Sequence, residues 1–479
     1  VKPNIAKSYS ISPNGLVYTF HLRTDVYFHD NKCFENKKGR KVLAKDFVFS
    51  FNRLYDSRVS SATTLLDKIA KNEKTGFSGI EDPNDSTLII RLKEPFSAFL
   101  NILTMKYFSV LPYEAIDCYK QDFRRNPVGT GPFQFKMWEE GVKLVLIKNP
   151  HYFETDEKNN RLPYLDAVTV SFIKDRETAF MELLNGRFDM LSGADAFNIN
   201  EVLDKEGNLR ELYRKKFYLQ KQTYLKTDYI GILIDEKLPI VRNSPLKLKA
   251  IRQAINYAFD RDKLIKYLRN NIGVAAHSGF IPKGMKSYND SVVKGYDYNP
   301  DKVKKLLADA GFPGGKGLPE LVLHITDNYK EQVEFIQSQL AENNIKVQIS
   351  IEKTSVLRQA VSSCEYLMFK KNWLADYADE ENFMSLFYSK NFTPQGVNYF
   401  HYKNQEFDRL FEQAQHEVDV NKKTELYQKM DQMVTEEAPF VVLYYDGVVR
   451  LVSHQIKKLT TNPMNLLNLK TVSKTRLFN

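Results

Sequence analysis

The first 150 residues carry short strand-like and helix-like patterns of hydrophobic positions. Residues 16–22 alternate apolar and polar side chains with a period of two, as a half-buried strand does, and residues 87–92 predict a second strand. Residues 44–56 instead place apolar side chains at helical spacing on one face. Two further strands, at 133–138 and 142–147, flank a short glycine-containing segment, so they predict a β-hairpin.

The second half of the chain predicts strands that alternate with helices. Residues 321–326, 331–343 and 345–351 form a strand–helix–strand pattern, which requires a parallel pair of strands. A helix at 301–310 has clear end signals, because Asn299 caps it, proline follows the cap and glycine follows its end. Further helices are predicted at 356–362, 405–418 and 422–437, and further strands at 366–369 and 438–452.

Composition narrows the class of protein. A length of 479 residues indicates two or three domains, and 43% apolar with 27% charged residues is a globular balance. The 13% of aromatic residues suits a large core and an aromatic-lined cleft. Lys and Arg are spread along the chain, so we interpret the net charge of +10 as solvated surface and predict no nucleic-acid binding. No apolar window is long enough to predict a membrane-spanning helix.

Motifs for metal binding or catalysis are missing from the sequence. The eight histidines never pair at ligand spacing, and segment 129–132 has a proline where a phosphate loop needs a backbone N–H. No nucleophile elbow occurs. Cys33, Cys118 and Cys364 are far apart, so we predict no disulfide or redox motif and interpret them as buried small hydrophobic residues. The sequence therefore predicts no catalytic residue, no metal site and no cofactor.

A series of short blocks follows one order along nearly the whole chain, and the ordered set is more specific than any single block. The blocks are residues 2–9, 19–23, 26–30, 43–51, 127–133, 182–189, 251–261, 373–379 and 398–408. Together they resemble the oligopeptide- and dipeptide-binding proteins of ABC importers, which form family 5 of the solute-binding proteins.

The resemblance implies an α/β fold of the type II periplasmic-binding-protein class, with two hinge-linked lobes and the extra small domain of the peptide-binding cluster. It implies that about fifty residues typical of the family, and any signal peptide or lipid-anchor cysteine, precede Val1. The corresponding domains are 1–126 for the small extra domain plus part of lobe I, 127–232 for lobe I, 233–438 for lobe II and 439–479 for a return to lobe I.

The same resemblance implies a bacterial, non-catalytic protein that captures an oligopeptide or dipeptide between two closing lobes and delivers it to ABC transporter permease subunits. It implies a monomer in the periplasm or on the outer face of the cytoplasmic membrane, attached to the membrane only through an N-terminal lipid anchor outside this chain. Two alternatives stay open. One is the same fold with a non-peptide solute (a nickel chelate, haem or an oligosaccharide), and the other is a hydrolase.

Asp376 is the leading candidate for ligand contact. It follows the strand predicted at 366–373, and open α/β sheets bind ligands just beyond the carboxyl ends of their strands. In peptide-binding members of the family the matching aspartate pairs with the α-ammonium of the ligand, and the resemblance implies that role here. The alternative is that Asp376 caps a helix at 380–387, with Asp379 and Glu380 favouring its N-terminal dipole. We expect the three acids at 379–381 to serve the cap and the solvent rather than the ligand.

Four other residues are predicted near the ligand. Trp373 and Tyr377 flank Asp376, and core packing is the alternative role for the Trp373 ring. Asn398 and Tyr399 match a segment that approaches the ligand in the family, so the resemblance implies contact. We expect the ligand backbone and termini to provide the affinity, with ligand side chains in roomy, hydrated pockets.

Overall fold

The computed structural model describes residues 1–56, 66–71, 79–193 and 198–475, which form two compact units. The first unit consists of Val1–Asp189, Ser453–Thr460 and Leu467–Asn479. The second unit consists of Met190–Val452 and Thr461–Leu466. The finer division into lobes and an extra domain stays a prediction.

Strands and helices alternate through the described residues. The strands are β1 (Ala6–Ile11), β2 (Val17–Leu22), β3 (Ile80–Asn84), β4 (Thr87–Arg91), β5 (Phe133–Glu139), β6 (Lys143–Lys148), β7 (Ala167–Ser171), β8 (Met190–Ser192), β9 (Phe217–Ile232), β10 (Val274–Ala275), β11 (Leu321–Ile325), β12 (Val347–Ile351), β13 (Met368–Leu374), β14 (Phe440–Ser453), β15 (Ile456–Lys457) and β16 (Ser473–Lys474). The α-helices are α1 (Ala44–Asn52), α2 (Phe99–Ile102), α3 (Tyr113–Tyr119), α4 (Arg176–Leu184), α5 (Ile199–Val202), α6 (Glu211–Arg214), α7 (Pro239–Arg242), α8 (Lys249–Tyr257), α9 (Arg261–Arg269), α10 (Pro300–Asp309), α11 (Lys330–Glu342), α12 (Thr354–Ser362), α13 (Glu381–Met384), α14 (Gln405–His416) and α15 (Val420–Glu437).

The first unit is built on antiparallel sheets. Strands β1, β2, β4 and β3 lie side by side in that order, and β5, β6 and β7 form a second sheet. The pairing of β5 with β6 confirms the predicted hairpin, and Gly141 suits its turn because the φ angle there is +77°. One apolar core cluster of the first unit consists of Val26, Phe28, Phe34, Val42, Val110, Ala115 and Val128.

The second unit is built on one mixed sheet in the order β10-β14-β9-β13-β11-β12, with β8 paired to β14. Strands β11 and β12 are parallel and are joined through α11, which confirms the predicted strand–helix–strand unit. Strand β13 is parallel to β11 and antiparallel to β9. The predicted helix after residue 299 is also confirmed, since the Asn299 side chain accepts a hydrogen bond from the Lys302 N–H at 3.0 Å.

Both faces of this sheet are covered by apolar side chains. Along β14, Val441 and Leu443 enter one core cluster, while Phe440 and Val442 enter the other. The second cluster takes up many of the aromatic residues around the buried ring of Phe280. Burial on both faces explains why β14 begins with an unbroken apolar and aromatic run at residues 440–445.

The structure tests the expected burial of the cysteines and the expected lack of a membrane-spanning helix. The interpretation of the cysteines as buried residues is wrong, because Cys118 is exposed and Cys33 and Cys364 are partly exposed. Within the described part of the chain, no helix combines the length and the apolar character needed to cross a membrane.

Asp431, on α15, carries a buried carboxyl group that connects this helix to the segment around Phe280 and Ile281. Its two oxygens accept hydrogen bonds from the N–H groups of Phe280 at 2.6 Å and Ile281 at 3.3 Å. Burial nevertheless raises the pKa of Asp431 to about 7, because the two hydrogen bonds offset only part of the desolvation.

We expect this carboxyl group to make stability depend on pH. The native state keeps a proton on Asp431 that the unfolded chain releases at about pH 4. The stability that depends on this proton is therefore complete below about pH 4 and is lost as the pH rises from there through about 7. Relative to Asp431→Asn, the wild-type unfolding free energy should fall by about 1 kcal/mol for each pH unit in that window. Urea unfolding at constant ionic strength measures the slope. The exposed Asp309→Asn variant is the control, and an equal slope in all three proteins would contradict the prediction.

Candidate functional site

The candidate site lies where β13 ends and an acidic turn begins, and we define the acidic turn as residues 375–380. Strand β13 occupies the middle of the sheet between β9 and β11. Because β11 and β13 are parallel, their carboxyl ends meet at one edge of the sheet. An open sheet presents ligand-binding loops at such an edge.

The side chain of Asn382, which is buried, organises the acidic turn. Its Oδ1 accepts hydrogen bonds from the indole Nε1 of Trp373 at 3.0 Å and from the backbone N–H of Asp376 at 3.1 Å. Its Nδ2 donates to the Asp376 carboxylate at 3.4 Å. One amide therefore fixes both the Trp373 ring and Asp376. Sequence reasoning missed Asn382, since nothing in the local pattern separates it from any other polar residue of a short helix.

Asp376 is exposed and free of a cationic partner. Across the described ranges, no Lys, Arg or His comes within ion-pair distance of its carboxylate, whose bond is to the Asn382 amide. The alternative role of Asp376 as a helix cap is wrong, because the residue at the N-cap of α13 is Glu380 and the first N–H of that helix, on Glu381, donates to the Asp379 side chain at 3.0 Å. The arrangement leaves a positioned carboxylate that can accept hydrogen bonds from a cation.

The neighbouring acids behave differently from Asp376. Asp379, Glu380 and Glu381 are all buried, so the expectation that they serve the solvent is wrong. The expectation of a cap holds for Asp379, whose carboxylate accepts the hydrogen bond from the Glu381 N–H. Asp379 forms an ion pair with Lys423 at 2.8 Å, and Glu380 accepts a hydrogen bond from the Ser287 N–H at 2.8 Å. These contacts anchor the acidic turn to other parts of the second unit.

Tyr377 lies beneath the acidic turn. It is buried, and its hydroxyl donates a hydrogen bond to the carboxylate of Glu381. Burial raises the pKa of Tyr377 well above its ordinary value, and the Glu381 charge raises it further. The phenol therefore stays protonated and keeps donating, so in this structure Tyr377 supports the turn.

Asn398 and Tyr399 lie on the loop between Thr393 and α14. Asn398 is fully buried, and its amide donates to the carbonyls of Tyr388 at 3.1 Å and Tyr402 at 3.0 Å. Its oxygen accepts from the Tyr402 N–H at 3.3 Å. The amide is thus engaged within the loop, so Asn398 holds the loop that presents Tyr399.

Tyr399 is partly exposed and faces a lysine that sequence reasoning did not select. The Nζ atom of Lys371 lies 4.1 Å from the centre of the Tyr399 ring. Burial lowers the pKa of Lys371 to about 8, and the nearby Arg358 charge lowers it further. Lys371 and Trp373 are two residues apart on β13, so they project from the same face of the sheet.

A network of charged side chains, two fully buried and three partly buried, lies under the opposite face of β13. Lys370 donates a hydrogen bond to Asp228 at 2.8 Å, and both side chains are fully buried. Lys226 bridges Asp228 at 3.1 Å and Asp446 at 2.8 Å, while Arg269 also pairs with Asp446. Burial by itself raises the pKa of Asp228, but the two ammonium groups outweigh it and hold the pKa below its usual range. The network joins β13, β9, β14 and α9.

A cavity of about 270 Å³ borders the acidic turn within the second unit. It is lined by Leu225, Gly284, Met285, Lys286, Ala378, Glu380, Asn462, Pro463 and Met464. The lining mixes apolar and charged side chains. In the part of the chain that the structure describes, no three His, Cys, Asp or Glu side chains gather in a way that could hold a metal ion.

Comparison with known proteins finds similarity to bacterial solute-binding proteins along nearly the whole chain. The family model described as "Bacterial extracellular solute-binding proteins, family 5 Middle" matches residues 1–395. The chain is similar to the dipeptide-binding protein of Escherichia coli (strain K12), with 27% identity over 492 aligned residues that cover 99% of this chain and 86% of the relative. Heme-binding protein A of Haemophilus influenzae is also 27% identical, over 97% of this chain and 82% of the relative.

A solved structure shows the same fold. The ABC transporter-associated periplasmic binding protein DppA of Helicobacter pylori, in complex with peptide STSA, has a TM-score of 0.77 and 28% sequence identity. The match covers 99% of this chain and 90% of that chain. The predicted α/β periplasmic-binding-protein fold class is confirmed.

We expect Asn382→Ala to release the Trp373 ring and destabilise the acidic turn. Loss of a buried amide that makes three hydrogen bonds should lower the unfolding free energy by about 2 kcal/mol. The indole of Trp373 should become more exposed to solvent, and its fluorescence emission maximum should shift to longer wavelength. In a Trp138→Phe background, Trp373 is the only tryptophan, so emission and urea unfolding report on it directly.

Ser385→Ala is the matched control for this variant. The Ser385 hydroxyl donates a hydrogen bond to the backbone carbonyl of Asn382 at 3.1 Å and, among the described residues, makes none to Trp373 or Asp376. Its emission should equal that of the Trp138→Phe background. An unshifted emission in the Asn382→Ala protein would contradict the assigned role of Asn382.

Proposed function

The chain belongs to the bacterial extracellular solute-binding proteins of family 5, and from this premise we propose that its solute is a short peptide held by its α-ammonium at Asp376. Members of this family are extracytoplasmic proteins that bind solutes for ABC importers and are not enzymes. We infer that this chain, as a monomer in the periplasm or on the outer face of the cytoplasmic membrane, delivers its peptide to permease subunits without catalysing a reaction.

The unpaired carboxylate of Asp376 is the observation that carries the proposal. Its neighbours Asp379 and Glu381 are buried and already engaged, whereas Asp376 is exposed and held by Asn382. A peptide N-terminus brings one positive charge and three N–H donors, which match the remaining acceptor positions of the carboxylate. The names of the relatives agree, since one is a dipeptide-binding protein and one solved structure holds a peptide.

Neighbouring features suit the rest of a peptide. Lys371 and the Tyr399 ring lie on the same face of β13 as Trp373, which offers an aromatic and cationic surface beside the carboxylate. The cavity next to the acidic turn has room for one ligand side chain together with water. Because apolar and charged side chains line the cavity together, we expect it to accept ligand side chains of several kinds and not to select one kind.

A non-peptide solute is the second candidate, because Heme-binding protein A is as similar to this chain as the dipeptide-binding protein is. Mass spectrometry of the solute released when the purified protein is denatured distinguishes the two. We expect a mixture of short peptides. A haem or oligosaccharide mass as the main species would overturn the peptide proposal.

We expect Asp376→Asn to weaken binding of tri-alanine by roughly 10- to 100-fold, because a hydrogen bond to a charged group contributes about 1.5–3 kcal/mol. Wild-type protein should bind N-acetyl-tri-alanine with a similar loss, since the acetyl group removes the ammonium charge. Isothermal titration calorimetry of both peptides against both proteins measures the coupling.

Glu365→Gln is the matched control, because Glu365 is an exposed acid before the opposite end of β13. Its affinity for tri-alanine should equal that of the wild type. If acetylation lowers wild-type affinity but not that of Asp376→Asn, the two groups interact directly. Equal affinities of the wild type for the free and acetylated peptides would refute the ammonium role.

Tri-alanine recovered after incubation with the pure protein should be intact. Its hydrolysis would refute the non-catalytic role.

A further inference from the structure

A cysteine, a histidine and an aspartate meet near the amino end of β13, at the opposite edge of the sheet from the acidic turn. The Sγ atom of Cys364 lies 3.2 Å from Nε2 of His401. The Thr393 hydroxyl lies 3.1 Å from the same nitrogen. On the other side of the ring, Oδ2 of Asp235 lies 3.6 Å from Nδ1 of His401, within ion-pair distance but beyond a hydrogen bond.

The surroundings of His401 leave Nε2 able to accept a proton and would stabilise the charged ring that then forms. Nine-tenths of its side chain is buried, and it stacks on Phe392 with 4.3 Å between ring centres. Nδ1 has no hydrogen-bond partner and faces Asp235, while Nε2 lies 3.2 Å from the carbonyl oxygen of Thr393. A neutral ring that carries its proton on Nδ1 keeps the Nε2 lone pair for the thiol proton, and the imidazolium that forms faces an acceptor at each nitrogen.

The residue that carries the thiol keeps part of its surface in contact with solvent. Cys364 is partly exposed, in contrast to the expectation that it is a buried hydrophobic residue. Burial raises the pKa of the Cys364 thiol, although the Thr393 hydroxyl lowers it in part. An isolated thiol in this position would react slowly, so a neighbouring base is needed to take its proton.

We propose that Cys364 is a thiol–disulfide exchange site for small-molecule disulfides, with His401 as the base for the thiol and Asp235 as a positioning residue. The Thr393 carbonyl and the Asp235 carboxylate stabilise the imidazolium that forms. The chain belongs to an extracellular family, and small disulfides persist in such oxidising surroundings.

The exchange step balances without a further oxidant. The Cys364 sulfur attacks one sulfur of a disulfide R–S–S–R, so a Cys364–S–S–R bond forms and the S–S bond of the reagent breaks. The thiol proton passes from Sγ to Nε2 of His401 and then to the leaving thiolate. The second half of the reagent departs as R–SH.

Two single-cysteine proteins test the assignment. Cys33→Ser/Cys118→Ser keeps Cys364, and Cys33→Ser/Cys364→Ser keeps the exposed Cys118 as a reference. Each reacts with excess hydroxyethyl disulfide at pH 7, and intact mass measures the rate of adduct formation. Burial alone would make Cys364 the slower thiol, because it raises the pKa of that thiol. With His401 as its base, we expect Cys364 to react about tenfold faster than Cys118.

Variants at the partners separate a base from mere packing. In the protein that keeps Cys364, His401→Gln should lower the rate at pH 7 by about tenfold and bring it to or below the rate of Cys118. Asp235→Asn should give a smaller loss. A Cys364 rate no higher than that of Cys118 would overturn the proposal, and so would an unchanged rate in a folded His401→Gln protein. If His401→Gln does not fold, as judged by circular dichroism, the comparison of the two single-cysteine proteins decides alone.

Discussion

Five charged side chains in the second unit, two of them fully buried and three partly buried, hold in place the strand on which the candidate site depends. Lys370 of β13 meets Asp228, Lys226 bridges Asp228 and Asp446, and Arg269 completes the chain of opposite charges. Removing such charges from water is costly, and the cost is recovered only when every charge keeps its partner. A shift of β13 against β9 would break several pairs at once. The network therefore fixes the register of the central strands and the point where β13 ends.

The position of the strand end decides which acid remains available. Four acidic residues occur within seven positions after β13, yet their surroundings differ. Asp379 meets Lys423, and Glu381 meets the hydroxyl of Tyr377, so both are engaged by neighbours in the second unit. Asp376 keeps an exposed carboxylate that the amide of Asn382 orients. A solute-binding protein needs such a group, fixed in place before the ligand arrives, because ordering it on binding would reduce affinity.

The two ends of β13 carry different chemistry. At the carboxyl end, a positioned carboxylate and the face formed by Lys371, Trp373 and Tyr399 suit a zwitterionic peptide. At the amino end, Cys364 meets His401 on the loop that also carries Tyr399. A rigid central strand allows both sites to be built by short flanking segments, since the strand itself does not need to move.

Local patterns in the sequence were sufficient for much of the fold. The alternation in β2 and β4, the hairpin of β5 and β6, the unit of β11, α11 and β12, and the Asn299 cap are each encoded by neighbouring residues. The ordered family blocks were sufficient to select the segment around Asp376. These features need no knowledge of which distant segments meet.

The tertiary structure alone decided the contacts between distant parts of the chain. Lys423 lies 44 residues from the Asp379 that it neutralises, and His401 lies 37 residues from Cys364. Lys370 and Asp228 are 142 residues apart. No periodicity encodes such pairs, because they arise only when the sheet brings its strands together. The sequence determined where a carboxylate follows a central strand, and the folded chain decided which carboxylate stays unpaired.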